Sequence, residues 1–525
     1  MTADCEARRR GGREARRQLR AAPLAEELRP VRAGLEGGRY RPLGEADVLT
    51  IHRAALDVLE RIGMAQPLPS CVEACTARGA FLDGNGRLCF PRALVEDVVA
   101  GAARRFPLCG QDPRHDLEPW GRKVHFGTAG AAVHVVDRKT REYRESLLRD
   151  LYDAARIVDS LDHIHFFQRT LVARDMAGAM ELDLNTLYAC VAGTTKHVGT
   201  SFCRGDTLEA GLEILHLVAG GEAAWRARPF VSLSCCFVVP PLRFAEDACR
   251  GLEAAVAGGM PVLLLSAGQA GATSPAALAG SVVQAVAEVL AGLCYVNALL
   301  PSAPAIFGTW PFVSDLRTGA MSGGSAEQAL LMAACAQMGQ FYDLPTGVAS
   351  GMSDSKLPDA QSGAEKGLNH ALVGNAGANL IYEAGGMQAS LLGFSHESLV
   401  IDDDIIGASL RTIRGIEVDQ ASLSLEVMRQ VCVEGPGHYL GSQQTLELMQ
   451  RDYFYPAVGD RTNPKEWAEQ GRTDIVERAS ARVEAILGRH FPDHLAAVDP
   501  LIRARFPIRL PESAMRPAAE KGLAA

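Results

Sequence analysis

Eight short apolar or β-branched runs recur along the middle of this chain, and their spacing limits the folds open to it. They begin near Val124 (VHFGTAG), Ile164 (IHFFQRTLV), His197 (HVGTSF), Pro229 (PFVSLSCCFVV), Pro261 (PVLLLSAG), Ala305 (AIFGTW), Pro345 (PTGVASG) and Ala378 (ANLIYEAGG). Roughly 30 to 45 residues separate consecutive starts, the length of one supersecondary repeat. Helical patterns fill most of the gaps, over residues 147–161, 183–192, 208–220, 245–258, 276–300, 326–342 and 364–377. Strand, loop, helix, repeated, is the pattern of a parallel α/β protein. A doubly wound sheet usually has fewer strands and opens on a G-x-G-x-x-G turn, which this chain lacks. The expected fold is therefore a (β/α)8 TIM barrel over residues 121–407.

The flanks read differently. Residues 41–120 predict a helical N-terminal segment. Val48, Ile51, Ala55, Val58, Leu59 and Ile62 recur at helical spacing. RGAFLDGNGRLCFP then predicts a hairpin, and residues 94–105 a second helix. Residues 408–525 predict a helical C-terminal segment packed on the barrel, with helices at 424–432, 442–449 and 474–489. Residues 1–40 read as a flexible basic arm, since the first 20 hold seven Arg against three acids.

Bulk composition excludes some partners. A net charge of −9 argues against nucleic acid. The apolar stretch 279–307 is interrupted by Gln284, Glu288 and Asn297, so no membrane span is expected. The 13 Cys form no C-x-x-C pair, which is reduced, cytoplasmic usage.

In parallel α/β folds chemistry gathers where strands end. The loops to watch are TWPFVSDLRTG, SGMSDSKLPDAQ and EAGGMQAS. Asp315 and Arg317 follow the sixth run, and Asp354 and Lys356 the seventh. They either hold the loops by salt bridges or, through Arg317 or Lys356, bind a substrate carboxylate. Phe126, Phe167, Trp310, Phe312 and Tyr382 fall at or near strand ends. Each is either core or part of an aromatic surface for a cation. Glu383 ends the eighth run; with Asp354 it is a candidate catalytic acid, placed to orient a cation or a water. His370, in the preceding helical pattern, is either structural or a substrate contact. Asp402, Asp403 and Asp404 lack spaced partners for a metal and read as a loop that caps the following turn. Cys235 and Cys236 could bind zinc, but adjacent strand residues face opposite ways, which favours a structural pair.

Several of these stretches resemble the trimethylamine methyltransferase family. They are Gly127 to Gly130 (GTAG), DLRTGAMSGG, GVASGMSDSKLPDAQ, GANLIYEAGGM, LVIDDDIIG, GPGHYLGSQQTLELMQRDYFYP and DRTNPKEWAEQG. The resemblance spans about residues 45–487. It implies a (β/α)8 barrel that moves a methyl group from a methylated amine to the cobalt of a corrinoid. The corrinoid is carried by a separate small protein and is not tightly bound to this chain. The family's trimethylamine enzymes carry pyrrolysine near the seventh strand, whereas all 525 residues here are standard. The chain resembles instead the non-pyrrolysine branch, whose members demethylate quaternary amines such as glycine betaine. The resemblance also implies a homo-oligomer.

Leaving-group chemistry agrees with that division. A quaternary ammonium releases a neutral tertiary amine and needs no proton. Trimethylamine would release an amide anion unless first protonated or adducted. Two other readings stay open from sequence: a zinc-dependent, cobalamin-linked methyltransferase for a thiol or alcohol, and a barrel that binds betaine without catalysis.

Overall fold

The computed structural model describes residues 29–516 apart from Pro436. All eight runs are strands of one sheet: β1 (Lys123–Phe126), β2 (Phe167–Gln168), β3 (Val198–Thr200), β4 (Val231–Cys235), β5 (Val262–Ser266), β6 (Ala305–Thr309), β7 (Thr346–Ala349) and β8 (Leu380–Tyr382). Each pairs in parallel with its neighbour from β2 to β7, then β7 with β8 and β8 with β1. Every residue of β5 and β6 is buried, as expected where both faces of a parallel sheet are covered. A ninth strand, Leu35–Glu36, adds antiparallel to β1.

The sheet is curled, and its two far strands meet. The His165 N–H donates to the Phe126 carbonyl at 2.6 Å and the Thr128 N–H to the Phe166 carbonyl at 3.3 Å. Gly127 bridges Phe166 in parallel fashion. A Cβ on Gly127 would lie 2.3 Å from the Phe166 ring, so only glycine allows this approach.

A helix follows each strand: α1 (Leu148–Asp159), α2 (Ala179–Gly193), α3 (Gly205–Ala219), α4 (Glu246–Ala257), α5 (Leu278–Leu299), α6 (Ala326–Tyr342), α7 (Ala360–Ala376) and α8 (His396–Arg414). Their starts are set by local chemistry. Ser325, Asp359 and Ser395 each accept a backbone N–H from the first turn of α6, α7 and α8. Helix α5 is long and apolar enough to cross a membrane, yet 83% of its apolar window is buried inside the protein. It is a core helix. Its Glu288 is buried and accepts from Ser266 Oγ, the Leu242 N–H and Gln284.

The structure changes two sequence expectations. Residues 1–28 of the arm lie outside the described residues, but residues 29–40 are not free. They carry the strand Leu35–Glu36, and Leu35 is buried. The acid run Asp402, Asp403 and Asp404 is not a loop; it lies within α8. Three consecutive helical residues point about 100° apart, so the three carboxylates reach three different elements. Asp402 takes the Lys366 ammonium of α7 at 2.6 Å and the Gly386 N–H at 2.7 Å. Asp403 takes the His163 N–H at 2.9 Å and the His163 ring at 3.0 Å. Asp404 accepts the N–H groups of Ala457, Val458 and Gly459 at 2.6, 2.8 and 2.8 Å. One short acidic run thus ties α8 to α7, to the approach to β2 and to the C-terminal segment.

Both partners of the Lys366–Asp402 pair are buried. Removing one side strands the other charge. Lys366→Met should lower unfolding free energy in a urea titration by about 3–5 kcal/mol. A loss below about 1 kcal/mol would mean that apolar packing alone joins α7 to α8.

Candidate functional site

At the carboxyl ends of the strands the side chains enclose a cavity of about 360 Å³. Among its lining residues are Arg169 after β2, Thr200 at the end of β3, Cys236 after β4, Trp310 and Phe312 after β6, and Glu383 after β8. Two other cavities, of about 440 and 630 Å³, are lined respectively by residues such as Arg41 and Phe341, and His163 and Tyr453. Neither gathers the residues that follow the strands, where parallel α/β folds place their sites.

Glu383 is the most unusual group here. Its φ is +60°, a left-handed backbone that side-chain-bearing residues rarely adopt. Its side chain is buried, and Oε2 has no hydrogen-bond partner among the described residues. Burial pushes its carboxyl up to about 8, so at neutral pH it is mostly protonated. A cation brought against it would favour the ionised form.

Aromatic residues support the wall. The Trp310 indole N–H donates to the Gly347 carbonyl at 3.0 Å, which fixes its ring. The Tyr382 ring lies 5.2 Å from Trp310 and 4.9 Å from Phe166, so it backs the cavity from within the core. Phe312 is half-buried and lines the cavity directly.

The remaining sequence candidates lie elsewhere. Phe126 is fully buried, edge-on to His370 at 5.5 Å. The His370 Nδ1 is 2.8 Å from Ser350 Oγ, and burial pushes its pKa down to about 3, which keeps it neutral. Phe167 is fully buried in the sheet. These three are core groups, because each lies in or behind a strand, beneath the loop layer. Arg317 is 88% exposed and forks onto Asp315, with a shortest contact of 2.6 Å. Lys356 is exposed and donates to the Asp354 carbonyl at 2.7 Å. The Asp354 carboxylate accepts from Ser322 Oγ at 2.7 Å, the Gly324 N–H at 3.3 Å and Ser390 Oγ. It laces the loops after β6, β7 and β8 together and does not line the cavity. The charges at these two loops hold the rim.

Cys235 and Cys236 diverge. Both border the cavity, but Cys235 is buried with its Sγ 3.3 Å from the Ala248 carbonyl of α4, whereas Cys236 is exposed. Among the described residues no group of three His, Cys, Asp or Glu side chains is gathered for a metal.

Arg169 and Thr200 were not singled out in the sequence. An arginine inside the apolar run IHFFQRTLV was the available signal. The Arg169 guanidinium makes no hydrogen bond or ion pair among the described residues; its backbone N–H donates to the Gly199 carbonyl at 2.9 Å. Burial lowers its pKa from the ordinary value.

The arrangement defines a site for a small amphiphilic molecule at the end of a parallel sheet, with one neutralisable acid, one unmatched cation and an aromatic wall. The chain belongs to the trimethylamine methyltransferase family: the profile described as Trimethylamine methyltransferase (MTTB) matches residues 9–504. With standard residues throughout, it falls in the family's non-pyrrolysine branch. Trimethylamine methyltransferase MttB of Methanosarcina thermophila is 32% identical over 462 residues, covering 87% of this chain and 94% of that one. Its counterpart in Desulfitobacterium hafniense (strain DSM 10664 / DCB-2) is 29% identical over 464 residues, covering 88% and 92%. Glycine betaine methyltransferase of Desulfitobacterium hafniense (strain Y51) is 28% identical over 471 residues, covering 89% and 96%. Among solved structures, the monomethylamine methyltransferase of Methanosarcina barkeri aligns with a TM-score of 0.48 at 12% identity, covering 90% of this chain and 92% of that one.

Glu383 makes stability depend on pH with a definite sign. Its folded pKa is raised from 4.5 to about 8. The neutral form suits the fold, so this contribution is complete below pH 4.5 and is lost as pH rises through about 8. Glu383→Gln should flatten the decline in thermal midpoint between those limits. An unchanged slope would mean that Glu383 does not carry the titration.

Proposed function

We propose that this protein is a methyltransferase that takes a methyl group from a quaternary amine of the glycine betaine type. The methyl acceptor is a corrinoid carried by a small partner protein. The observation that carries the reading is the pairing of Glu383, a buried carboxyl with a free oxygen, with Trp310 and Phe312 in one strand-end cavity. An acid and aromatic faces together suit a cation that has no N–H to donate. The names of the relatives, which include trimethylamine and glycine betaine methyltransferases, support methylated amines as the substrate class.

The corrinoid supplies a strongly nucleophilic reduced cobalt. A cavity of about 360 Å³ suits a small amine rather than a corrin macrocycle. In this reading the amine fills the cavity and the partner presents the corrinoid across the mouth. Glu383 ionises against the ammonium and orients it, while the aromatic wall holds the methyl groups and excludes water. The C–N bond breaks with its electron pair on nitrogen, and the amine leaves neutral. Because the positive charge vanishes along the way, a tight aromatic cage would hold the ground state back. A partial cage of two rings and one acid is the matching compromise. No residue here supplies the electrophile that trimethylamine would require.

The wider assignment follows. We read the curled sheet as a closed (β/α)8 barrel, supported by the hydrogen bonds between β1 and β2. The N- and C-terminal segments are helical additions to it. Exposed Ile416, Val418, Leu425, Val433 and Leu440 on the C-terminal segment support self-association. Twelve free cysteines among the described residues support a reducing, cytoplasmic setting.

Purified protein mixed with reduced corrinoid, free or on its carrier, should alkylate the cobalt when glycine betaine is added. Visible absorbance reads the change. Trimethylamine should give none. Equal rates with both amines would overturn the leaving-group argument, and no alkylation with any quaternary amine would overturn the function.

A further inference from the structure

Among the described residues Arg169 is a cation without an ion-pair partner. It lies beside the cavity, and no carboxylate, carbonyl or hydroxyl among the described residues bonds its guanidinium. The nearby acid of α2, Asp183, acts on Arg169 only through space: its Oδ2 accepts the Cys203 N–H at 2.7 Å and the Thr207 hydroxyl, and it forms no ion pair with the guanidinium. Partial burial makes an unmatched guanidinium costly, as its lowered pKa reflects. Next to it, across the β2–β3 pairing, Thr200 also lines the cavity, and its buried Oγ has no partner. Two unsatisfied donors stand side by side.

Their position relative to the cation surface matters. With β1 bonded to β2, the strand order runs β1, β8, β7, β6, β5, β4, β3, β2 and back. β2 and β6 are then four strands apart in either direction. Arg169 stands opposite Trp310 and Phe312. The Cys236 thiol, after β4, lies within electrostatic reach of both Arg169 and Glu383. The cavity is therefore polarised, with a cation-accepting side at β6 and β8 and an anion-accepting side at β2 and β3.

We infer that Arg169, assisted by the Thr200 hydroxyl, binds the carboxylate of a zwitterionic quaternary amine and so selects betaines over simple quaternary amines. This rests on the proposed function. The rim cations Arg317 and Lys356 would then take no part, since Arg317 is paired with Asp315 and Lys356 is held by the Asp354 carbonyl. A guanidinium can take both carboxylate oxygens in a fork, which fixes the angle at which the ammonium end meets Glu383. Arg169 is a specificity-determining residue in this view, and Glu383 acts on the other end of the same ligand.

The test is calorimetric binding of glycine betaine and of choline, which lacks a carboxylate, to the full-length protein. Wild type should bind betaine more tightly than choline. Arg169→Met should weaken betaine about 10- to 100-fold, the worth of a charge-assisted hydrogen bond, and change choline less than about threefold. Arg169→Lys should restore part of the loss, and Thr200→Val should lose a smaller part, again for betaine alone. Thermal unfolding provides the folding control: removing an uncompensated cation should leave the midpoint of Arg169→Met unchanged or higher. Equal losses for both ligands, or no loss for betaine, would overturn the assignment of Arg169 while leaving the quaternary-amine reading intact. Failure of wild type to bind either compound would overturn both.

Discussion

The hydrogen bonds that join β1 to β2 are what the carboxyl-end site depends on. Without them the sheet would have two free edges, with Glu383 near one and Arg169 at the other. With them the residues that follow the strands converge on one space. The contact depends on Gly127, since any side chain there would strike the Phe166 ring. The same ring packs on Tyr382, which in turn packs on Trp310. A single permissive backbone position therefore links closure of the sheet to the wall of the cavity.

Charge is handled in opposite ways at the rim and inside. Around the mouth, Asp315, Arg317, Asp354 and Lys356 are satisfied by one another and by nearby hydroxyls and backbone groups. Such exposed pairs add little stability and mainly order the loops. In the helix layer, the three acids of α8 are buried and each accepts hydrogen bonds from a neighbouring element. In the cavity the rule fails: among the described residues Glu383 Oε2, Thr200 Oγ and the Arg169 guanidinium have no bonding partner. Folded proteins seldom leave buried polar groups unmatched unless a ligand or water completes them.

Much of the fold was legible because the strands are apolar on both faces and their ends are marked by glycine. The eight runs and the seven helical patterns between them were found where the sequence placed them, with ends shifted by a few residues. Helix α8 was not legible, because three consecutive acids read as a turn; their partners lie on three other elements that the sequence does not place beside them. The site was partly legible. Glu383, Trp310 and Phe312 stand out as polar or aromatic residues just past a strand. Arg317 and Lys356 drew notice as cations in polar loops, where partners are close at hand in sequence. Arg169 drew none, because it is embedded in an apolar run, yet an arginine there is the harder one to satisfy. Sequence shows which charges exist, and only the fold shows which of them lack a partner.

The raised pKa of Glu383 bears on turnover as well as on binding. With no cation against it, the acid is mostly neutral at neutral pH because burial disfavours its charge. On the proposed reading an arriving ammonium supplies that support, so binding the amine releases a proton from Glu383. Methyl transfer then turns the bound cation into a neutral amine. The support disappears with the charge, and a proton returning from solvent can be taken by Glu383 or by the more basic tertiary amine. As a neutral amine the product is held by neither a cation–π contact nor an ion pair, only by its carboxylate if it has one. An acid that ionised permanently would attract cations more strongly but would gain nothing when the charge is lost, and it would hold the next substrate in a deeper ground state. On the proposed reading, a carboxyl held near neutrality by burial can bind the substrate as a charge and return to the neutral acid once that charge is lost.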